Sequence, residues 1–235
     1  MSTFARATVS QEFLDDLYGR IARRYDLVNV VQSFGLVGIV RRAAARYVAR
    51  GLVLDAGAGS GLFAAACLAA GASRVVCLDR SAEMFAVARV KLAAYEKAGR
   101  VRFVLGDVTR LPFADGAFEN AGSAFVFRNI SGVDVAAAEM RRVVKAGGRL
   151  AVADVFAPPR GVLGYLYKIY LNAMVPLWGR LLARDGAAYR YLATSIQRCF
   201  SAEELARLMA GAGFADVARK PKFWGIAYVV RARAP

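Results

Sequence analysis

Short apolar runs alternate with longer amphipathic segments through the middle of the chain. The apolar runs predict strands at 51–56, 74–79, 101–105, 121–127 and 149–156. The segments between them predict helices at 60–70, 81–98 and about 133–145. Strands that alternate with helices of ten or more residues form βαβ units, whose parallel sheet is covered on both faces. The pattern therefore predicts a doubly wound α/β fold.

Two segments lie outside this alternation. Residues 1–50 are helical in pattern, and an apolar stretch is inserted at 158–200. Ser201 and Glu204 form a capping-box signature that predicts a helix at 201–211. We expect one domain made of four parts: an N-terminal helical cap at 1–50, a ligand-binding core at 51–157, a helical insertion or lid at 158–200, and a C-terminal helix with strands at 201–235.

Composition removes several classes of enzyme. The chain has no histidine, which excludes the Ser-His-Asp triad, the Cys-His dyad and the HExxH zinc site. Its cysteines, Cys67, Cys77 and Cys199, form no CxxC pair, so we expect reduced structural cysteines in an intracellular protein and no metal site. The first thirty residues lack the continuous apolar run of a secretory signal. We therefore expect a cytoplasmic location.

The strongest chemical signal is the segment VLDAGAGSGLFA at 53–64. A predicted strand runs there into Gly57, Gly59 and Gly61 and then into a helix. Glycine permits positive φ and close approach of a ligand to the backbone, and the start of a helix presents unpaired N–H groups. Leu62 stands where the dinucleotide fingerprint GxGxxG has its third glycine, so the loop disfavours a nicotinamide cofactor.

Acidic residues follow the next two predicted strands. Asp79 lies about twenty residues beyond the glycine loop, where a carboxylate can accept hydrogen bonds from both hydroxyls of a ribose. Asp107 follows the third strand and can accept from an exocyclic amine, while Val108 can contact the face of a purine. Ligands in doubly wound folds lie outside the carboxyl ends of the strands. These residues together predict an adenosine site.

The order of these motifs resembles the class I S-adenosylmethionine-dependent methyltransferases. The resemblance lies in LDAGAGSG at 54–61, LD at 78–79, GDVTRLPFADGAFE at 106–119 and VVKAGGRLAVAD at 143–154. Further segments resemble the ubiquinone/menaquinone biosynthesis C-methyltransferases, which methylate a ring carbon of a polyprenyl hydroquinone: RRYDLVN at 23–29, SFGL at 33–36, FRN at 127–129 and YRYLATSI at 189–196. The match runs from about Phe13 to Val230. It implies a mostly parallel seven-stranded Rossmann-like sheet, with an N-terminal helical cap and a helical insertion before the last two strands.

The resemblance also implies a cofactor and a set of site residues. The cofactor is S-adenosylmethionine, with S-adenosylhomocysteine as product, and its contacts fall on Asp55, Gly57, Gly59, Ser60, Gly61, Asp79, Asp107, Val108 and Ala124. The positions that face the methyl group and the quinol are Tyr25, Arg128 and Asn129. The chain departs from the family pattern at several of its residues: Val30, Val37, Val40, Ala124 and Ser201 stand where Asp, His, Trp, Ser and Pro are usual.

The chemistry of such a transfer can be argued from the residues. A methylsulfonium is already activated, so the enzyme mainly aligns donor and acceptor. A carbon acceptor needs electron density from a phenolate, and a phenol with a pKa of about 10 is barely ionised at neutral pH. Arg128 is the candidate that stabilises the phenolate, and Asn129 would orient its oxygen. Asp154, at the end of the fifth strand, or a water molecule would accept the proton.

Charge and the insertion bear on the partners. The chain carries 33 Lys and Arg against 18 Asp and Glu, a net charge of +15. The apolar stretches of 160–184 are too short to span a bilayer, but with Trp178, Lys168 and Arg180 the segment can lie at an anionic membrane surface. The alternative is that the segment forms a lid that packs over the site, and the same segment can do both. A lipophilic quinol is the expected substrate, and a homodimer stays open.

Three other functions stay open at this point. The positive charge suits a methyltransferase of RNA or DNA, although no NPPY-like tetrapeptide follows the fourth strand and the basic residues are scattered. Another small molecule or lipid is also a candidate substrate. A non-catalytic, methyltransferase-like binding subunit is compatible with the substituted positions in the cap.

Overall fold

The computed structural model describes residues 11–159, 161–183 and 185–235 and contains a single seven-stranded sheet. The strands are β1 (Leu52–Ala56), β2 (Arg74–Asp79), β3 (Val101–Leu105), β4 (Phe118–Ala124), β5 (Val144–Val155), β6 (Ala215–Lys222) and β7 (Ala227–Arg233). Their order is β3-β2-β1-β4-β5-β7-β6, and only β7 runs antiparallel to its neighbours. This confirms the predicted fold class.

Helices cover both faces of the sheet. They are α1 (Gln11–Gln32), α2 (Leu36–Val48), α3 (Leu62–Ala69), α4 (Ala82–Lys97), α5 (Val133–Val143), α6 (Val162–Trp178), α7 (Gly186–Arg198) and α8 (Ala202–Gly211). One apolar core joins the sheet to α5 and α8, and a second joins it to α2, α3 and α4. A third cluster, around Val28, Leu171 and Tyr189, joins α1 to α6 and α7. This third cluster forms the part of the cap and insertion that lies over the carboxyl ends of the strands.

The sequence signals for the helix ends and the cysteines agree with the structure. Ser201 Oγ accepts from the Glu204 backbone N–H at 3.1 Å, and Glu204 Oε2 accepts from the Ser201 N–H at 2.7 Å, which completes the capping box of α8. The three cysteines, Cys67, Cys77 and Cys199, are buried and free. In the described part of the chain no single helix is long and apolar enough to cross a bilayer. The helical segments 24–32 and 36–48 of that part of the chain, which are bent by 103° relative to each other, have the length and composition of a membrane span only when they are taken together.

The boundaries of β4 differ from those predicted. The predicted strand covered 121–127, whereas β4 begins at Phe118 and ends at Ala124. Phe125 adopts a φ of 66°, in the left-handed region, and Phe127–Asn129 then form a 3₁₀ turn. The apolar pattern of the sequence continues through this turn, where Phe127 is fully buried. The hydrophobic pattern alone therefore could not show where the strand stops.

Candidate active site

A cavity of about 310 Å³ opens at the carboxyl ends of β1 to β5. Its walls come from the loops after these strands, from the cap helices α1 and α2, and from α7. The cavity lies at the point where the strand order reverses, between β1 and β4, which is where doubly wound sheets bind their ligands. Its volume falls in the range of small-molecule sites.

Most of the predicted site residues line this cavity. From the predicted cofactor set the wall includes Gly57, Gly59, Ser60, Asp79, Asp107, Val108 and Ala124. From the predicted catalytic set it includes Tyr25, Arg128 and Asn129. Asp55, Gly61 and Asp154 lie behind the wall, where Asp55 and Asp154 have no exposed surface.

The glycine loop has two positions, Gly57 and Gly61, at which the structure leaves no room for a side chain. Gly57 has a φ of 77°, and a Cβ added there would lie 2.5 Å from Cγ1 of Val126. Gly61 has a φ of 79°, and its added Cβ would lie 2.8 Å from Cδ1 of Leu92 on α4. Gly57 therefore keeps backbone open to the cavity, whereas Gly61 lets the start of α3 pack closely against α4.

Asp79 braces the glycine loop and also faces the cavity. Its Oδ2 accepts from the Gly59 N–H at 2.7 Å, and its Oδ1 accepts from the Ser81 N–H at 3.0 Å. A carboxylate offers about four lone-pair sites, so hydroxyl groups of a ribose can still donate to it. The geometry therefore fits a nucleoside held between the loop and the end of β2.

Asp107 is more constrained than the sequence indicates. Its Oδ1 accepts from the backbone N–H and the hydroxyl of Thr109, both at 2.8 Å, and its Oδ2 pairs with Arg80 Nη1 at 2.6 Å. Partial burial acts to raise the pKa of Asp107, but the bonds from Thr109 and Arg80 outweigh it and lower the pKa. The carboxylate is thus ionised and fixed beside Val108, next to the cavity.

Asp55 lies under the glycine loop. Complete burial, followed by the nearby charge of Asp79, raises the pKa of Asp55 to about 8. The Ala64 N–H and Arg41 oppose this shift. Among the described residues, however, no group lies in ordinary hydrogen-bond geometry to either Asp55 oxygen. The group is therefore mostly neutral at pH 7, so an uncharged acid lies beneath the loop.

Arg128 and Asp154 form a buried ion pair. Arg128 Nη1 donates to Asp154 Oδ1 at 2.5 Å, the Arg128 backbone N–H donates to Oδ2 at 3.3 Å, and neither side chain is more than 4% exposed. Burial raises the pKa of Asp154, while Arg128 and the Val155 N–H oppose that rise. Asp154 thus fixes the guanidinium from behind, and Arg128 forms part of the cavity wall.

A clamp between the cap and the glycine loop was not predicted. Asp26 on α1 accepts from Ser60 Oγ at 2.7 Å with one carboxylate oxygen and pairs with Lys91 of α4 through the other. Lys91 also donates to the Ser60 carbonyl at 3.2 Å. The three partners lie far apart in the sequence, so only the position of Asp26 beside Tyr25 in the YDLVN segment hinted at a role. Arg41 of α2 also lines the cavity and was not predicted.

The fold is that of the class I S-adenosylmethionine-dependent methyltransferases. A methyltransferase of this kind from Thermotoga maritima aligns with a TM-score of 0.67 at 22% identity, covering 94% of this chain and 99% of that one. Phosphoethanolamine N-methyltransferase 2 of Haemonchus contortus, solved in complex with S-adenosylmethionine, aligns with a TM-score of 0.69 at 15% identity over 98% of this chain and 61% of that one. At these identities the alignments show the shared fold.

Sequence comparison narrows the class to a family. The model of the ubiE/COQ5 methyltransferase family matches residues 6–232, and the chain belongs to that family. A demethylmenaquinone methyltransferase of Thermus thermophilus is 38% identical, over 84% of this chain and 91% of that protein. A ubiquinone/menaquinone biosynthesis C-methyltransferase of Azotobacter vinelandii is 36% identical, over 94% of this chain and 89% of that protein. The chain is an S-adenosylmethionine-dependent methyltransferase, as the sequence predicts, and the nucleic-acid and non-catalytic alternatives are not favoured.

Proposed function

We propose that the chain methylates a ring carbon of a prenylated hydroquinone, such as demethylmenaquinol, in quinone biosynthesis. The names of its relatives support this substrate class. The observation that carries the proposal is the buried Arg128–Asp154 pair, which holds a cation on the wall of a largely apolar cavity. A cation fixed there favours the phenolate form of a phenol, which a carbon acceptor requires.

The cofactor would lie along the glycine loop. We assign its contacts to the residues of the predicted set that line the cavity: Gly57, Gly59, Ser60, Asp79, Asp107, Val108 and Ala124. Asp55 and Gly61 support these contacts from behind. When bound, S-adenosylmethionine supplies an activated methyl group, and it leaves as the uncharged thioether S-adenosylhomocysteine.

The chain's own residues align and activate the acceptor. Arg128 stabilises the oxygen anion of the ring, Asn129 orients that oxygen, and Tyr25 closes the cavity from the cap. Asp154 lies behind Arg128, where it cannot reach a ring proton directly, so we assign it the role of positioning the guanidinium. The proton that leaves the methylated carbon then passes to water at the open side of the cavity.

Methyl transfer with defined acceptors tests this proposal. The purified protein is incubated with methyl-labelled S-adenosylmethionine and either demethylmenaquinol in detergent or structured RNA. We expect labelled, C-methylated quinol and no labelled RNA. Label in RNA alone would contradict the substrate. S-adenosylhomocysteine binding without transfer to the quinol would also contradict it.

We also propose that the cytoplasmic protein binds the surface of an anionic membrane, where a prenylated quinol resides. The cap and the insertion expose large apolar side chains on α1, on the turn that follows it, on α2 and on α6. We define them as an apolar patch: Leu27, Val30, Phe34, Ile39, Val162, Leu163, Tyr165, Leu166 and Ile169. The two parts meet where the Phe34 and Tyr170 rings lie 6.4 Å apart and the Tyr170 hydroxyl donates to the Gln32 carbonyl. Exposed Lys168 and the net charge of +15 complement anionic lipid.

Flotation with lipid vesicles tests this surface. The double variant Phe34→Asn and Leu166→Ser should lower binding to vesicles that contain phosphatidylglycerol by roughly tenfold or more, because two apolar side chains lose their burial. Asn suits position 34, where φ is 49°. Val90→Ser changes an exposed apolar residue outside the patch and should bind like the wild type. Equal binding of wild type and double variant would contradict the proposal.

A further inference from the structure

Arg41 is a cation of the cavity that the predicted site does not use. It belongs to α2, which is anchored in the core by Val40 and Ala44, and its side chain lines the cavity. Burial lowers the pKa of Arg41 and the nearby Arg42 acts in the same direction, while Asp26 and Asp55 are among the groups that oppose the shift. The guanidinium is therefore held in a place where its own charge is poorly solvated.

Arg41 has acidic neighbours, but in the described part of the chain none of them forms an ion pair with it. Among those residues the Arg41 side chain makes no hydrogen bond or ion pair, and its guanidinium carbon lies over the Phe125 ring, 5.4 Å from the ring centroid. Asp26 is engaged by Ser60 and Lys91. Asp55 is mostly neutral at pH 7 because its pKa is about 8. A half-buried guanidinium that lines the cavity and has no ion-pair partner among the described residues favours an anionic ligand at Arg41.

The position of Arg41 indicates which part of a ligand it meets. Asp79 and Asp107 follow β2 and β3, so the adenosine end of the cofactor belongs on that side of the cavity. Arg41 lies against Phe125, which follows β4, on the other side of β1. The methionyl end of a cofactor that runs along the glycine loop must extend toward β4. Its carboxylate is the only anionic group that S-adenosylmethionine carries.

We infer that Arg41 binds the α-carboxylate of the methionyl moiety of the cofactor. A guanidinium presents paired N–H donors that match the two oxygens of a carboxylate. Stacking on Phe125 fixes the plane of those donors without consuming them. The assignment concerns the cofactor and is independent of which acceptor is methylated.

Binding of two ligands that differ only in the carboxylate tests the inference. Affinities for S-adenosylmethionine and for decarboxylated S-adenosylmethionine are measured by calorimetry on wild type and Arg41→Gln. Hydrogen bonds to charged groups are worth about 1.5–3 kcal/mol, so we expect S-adenosylmethionine to bind roughly 10- to 100-fold more weakly to the variant. The decarboxylated ligand should bind both proteins within about threefold, since it lacks the group that Arg41 recognises.

Two variants serve as controls. Arg42→Gln removes the adjacent, exposed arginine and should leave both affinities unchanged. Arg41→Lys keeps the charge and loses the paired donors, so its affinity for S-adenosylmethionine should be intermediate. It also provides the comparison if the Gln variant folds poorly, which thermal unfolding without ligand would show.

Three outcomes would overturn the inference. Equal weakening of both ligands would show that Arg41 supports the fold of the site. Unchanged affinity for both would place the carboxylate elsewhere. Normal cofactor affinity with a raised KM for the quinol would assign Arg41 to the acceptor. Because the readout is cofactor affinity, a failure to methylate demethylmenaquinol would leave this test intact.

Discussion

We expect the wild-type protein without its cofactor to lose stability as the pH rises, and Asp55→Asn should remove that loss. The folded carboxyl keeps its proton up to about pH 8, whereas an ordinary aspartate ionises near pH 4. Between pH 5 and pH 7 unfolding therefore releases close to one proton, and each pH unit lowers the free energy of unfolding by about 1.4 kcal/mol. Between pH 5 and pH 7, the ionisation of Asp55 on unfolding therefore lowers the free energy of unfolding of the wild type by roughly 3 kcal/mol, and the Asn variant does not have this loss.

The measurement is urea unfolding of both cofactor-free proteins at pH 5, 6 and 7. Other titrating groups affect both proteins alike, so the difference between the two free energies isolates Asp55. It should move in favour of the Asn variant as the pH rises. Asp115→Asn, which changes a carboxyl that is 82% exposed, is the control and should follow the wild type. Parallel curves for wild type and Asp55→Asn would refute the assignment of a proton to the buried carboxyl.

Three further variants test other parts of the site and fold. Arg128→Gln should lower the rate of methyl transfer roughly 100-fold, the usual cost of losing a donor to a developing anion, and leave S-adenosylhomocysteine affinity nearly unchanged. A matching loss of affinity would show that Arg128 belongs to the cofactor site. Gly57→Ala should abolish cofactor binding in calorimetry because its Cβ would lie 2.5 Å from a neighbouring side chain, whereas Gly99→Ala, with a similar positive φ but nothing within 4 Å, should bind normally. Binding by the Gly57 variant would refute the need for bare backbone there. Ser201→Ala should lower the free energy of unfolding by about 1 kcal/mol through loss of the helix cap, and unchanged urea unfolding would contradict this.

The parts of the fold with local signals could be predicted from the sequence. Each βαβ unit carries its own alternation of apolar runs and helices, and the Ser201–Glu204 box marks a helix start within four residues. The glycine loop and Asp79 were also visible, because the topology of a parallel sheet brings the ends of adjacent strands together. These features depend little on the rest of the chain.

The remaining features depend on contacts between distant residues. The left-handed Phe125 ends β4 where the chain must turn over the cavity, and no local pattern marks it. Asp26 meets partners 34 and 65 residues away. The protonated state of Asp55 arises from complete burial, and the position of Asp154 behind Arg128 depends on the packing around the ion pair. Sequence alone names such residues without assigning their roles.

The clamp formed by Asp26, Ser60 and Lys91 joins three parts of the structure at one side chain, that of Asp26. Its carboxylate ties the cap to the glycine loop and also to α4. Swinging α1 outward breaks both attachments together and frees the Ser60 hydroxyl. The position of the cap is therefore tied to the shape of the glycine loop through a single side chain.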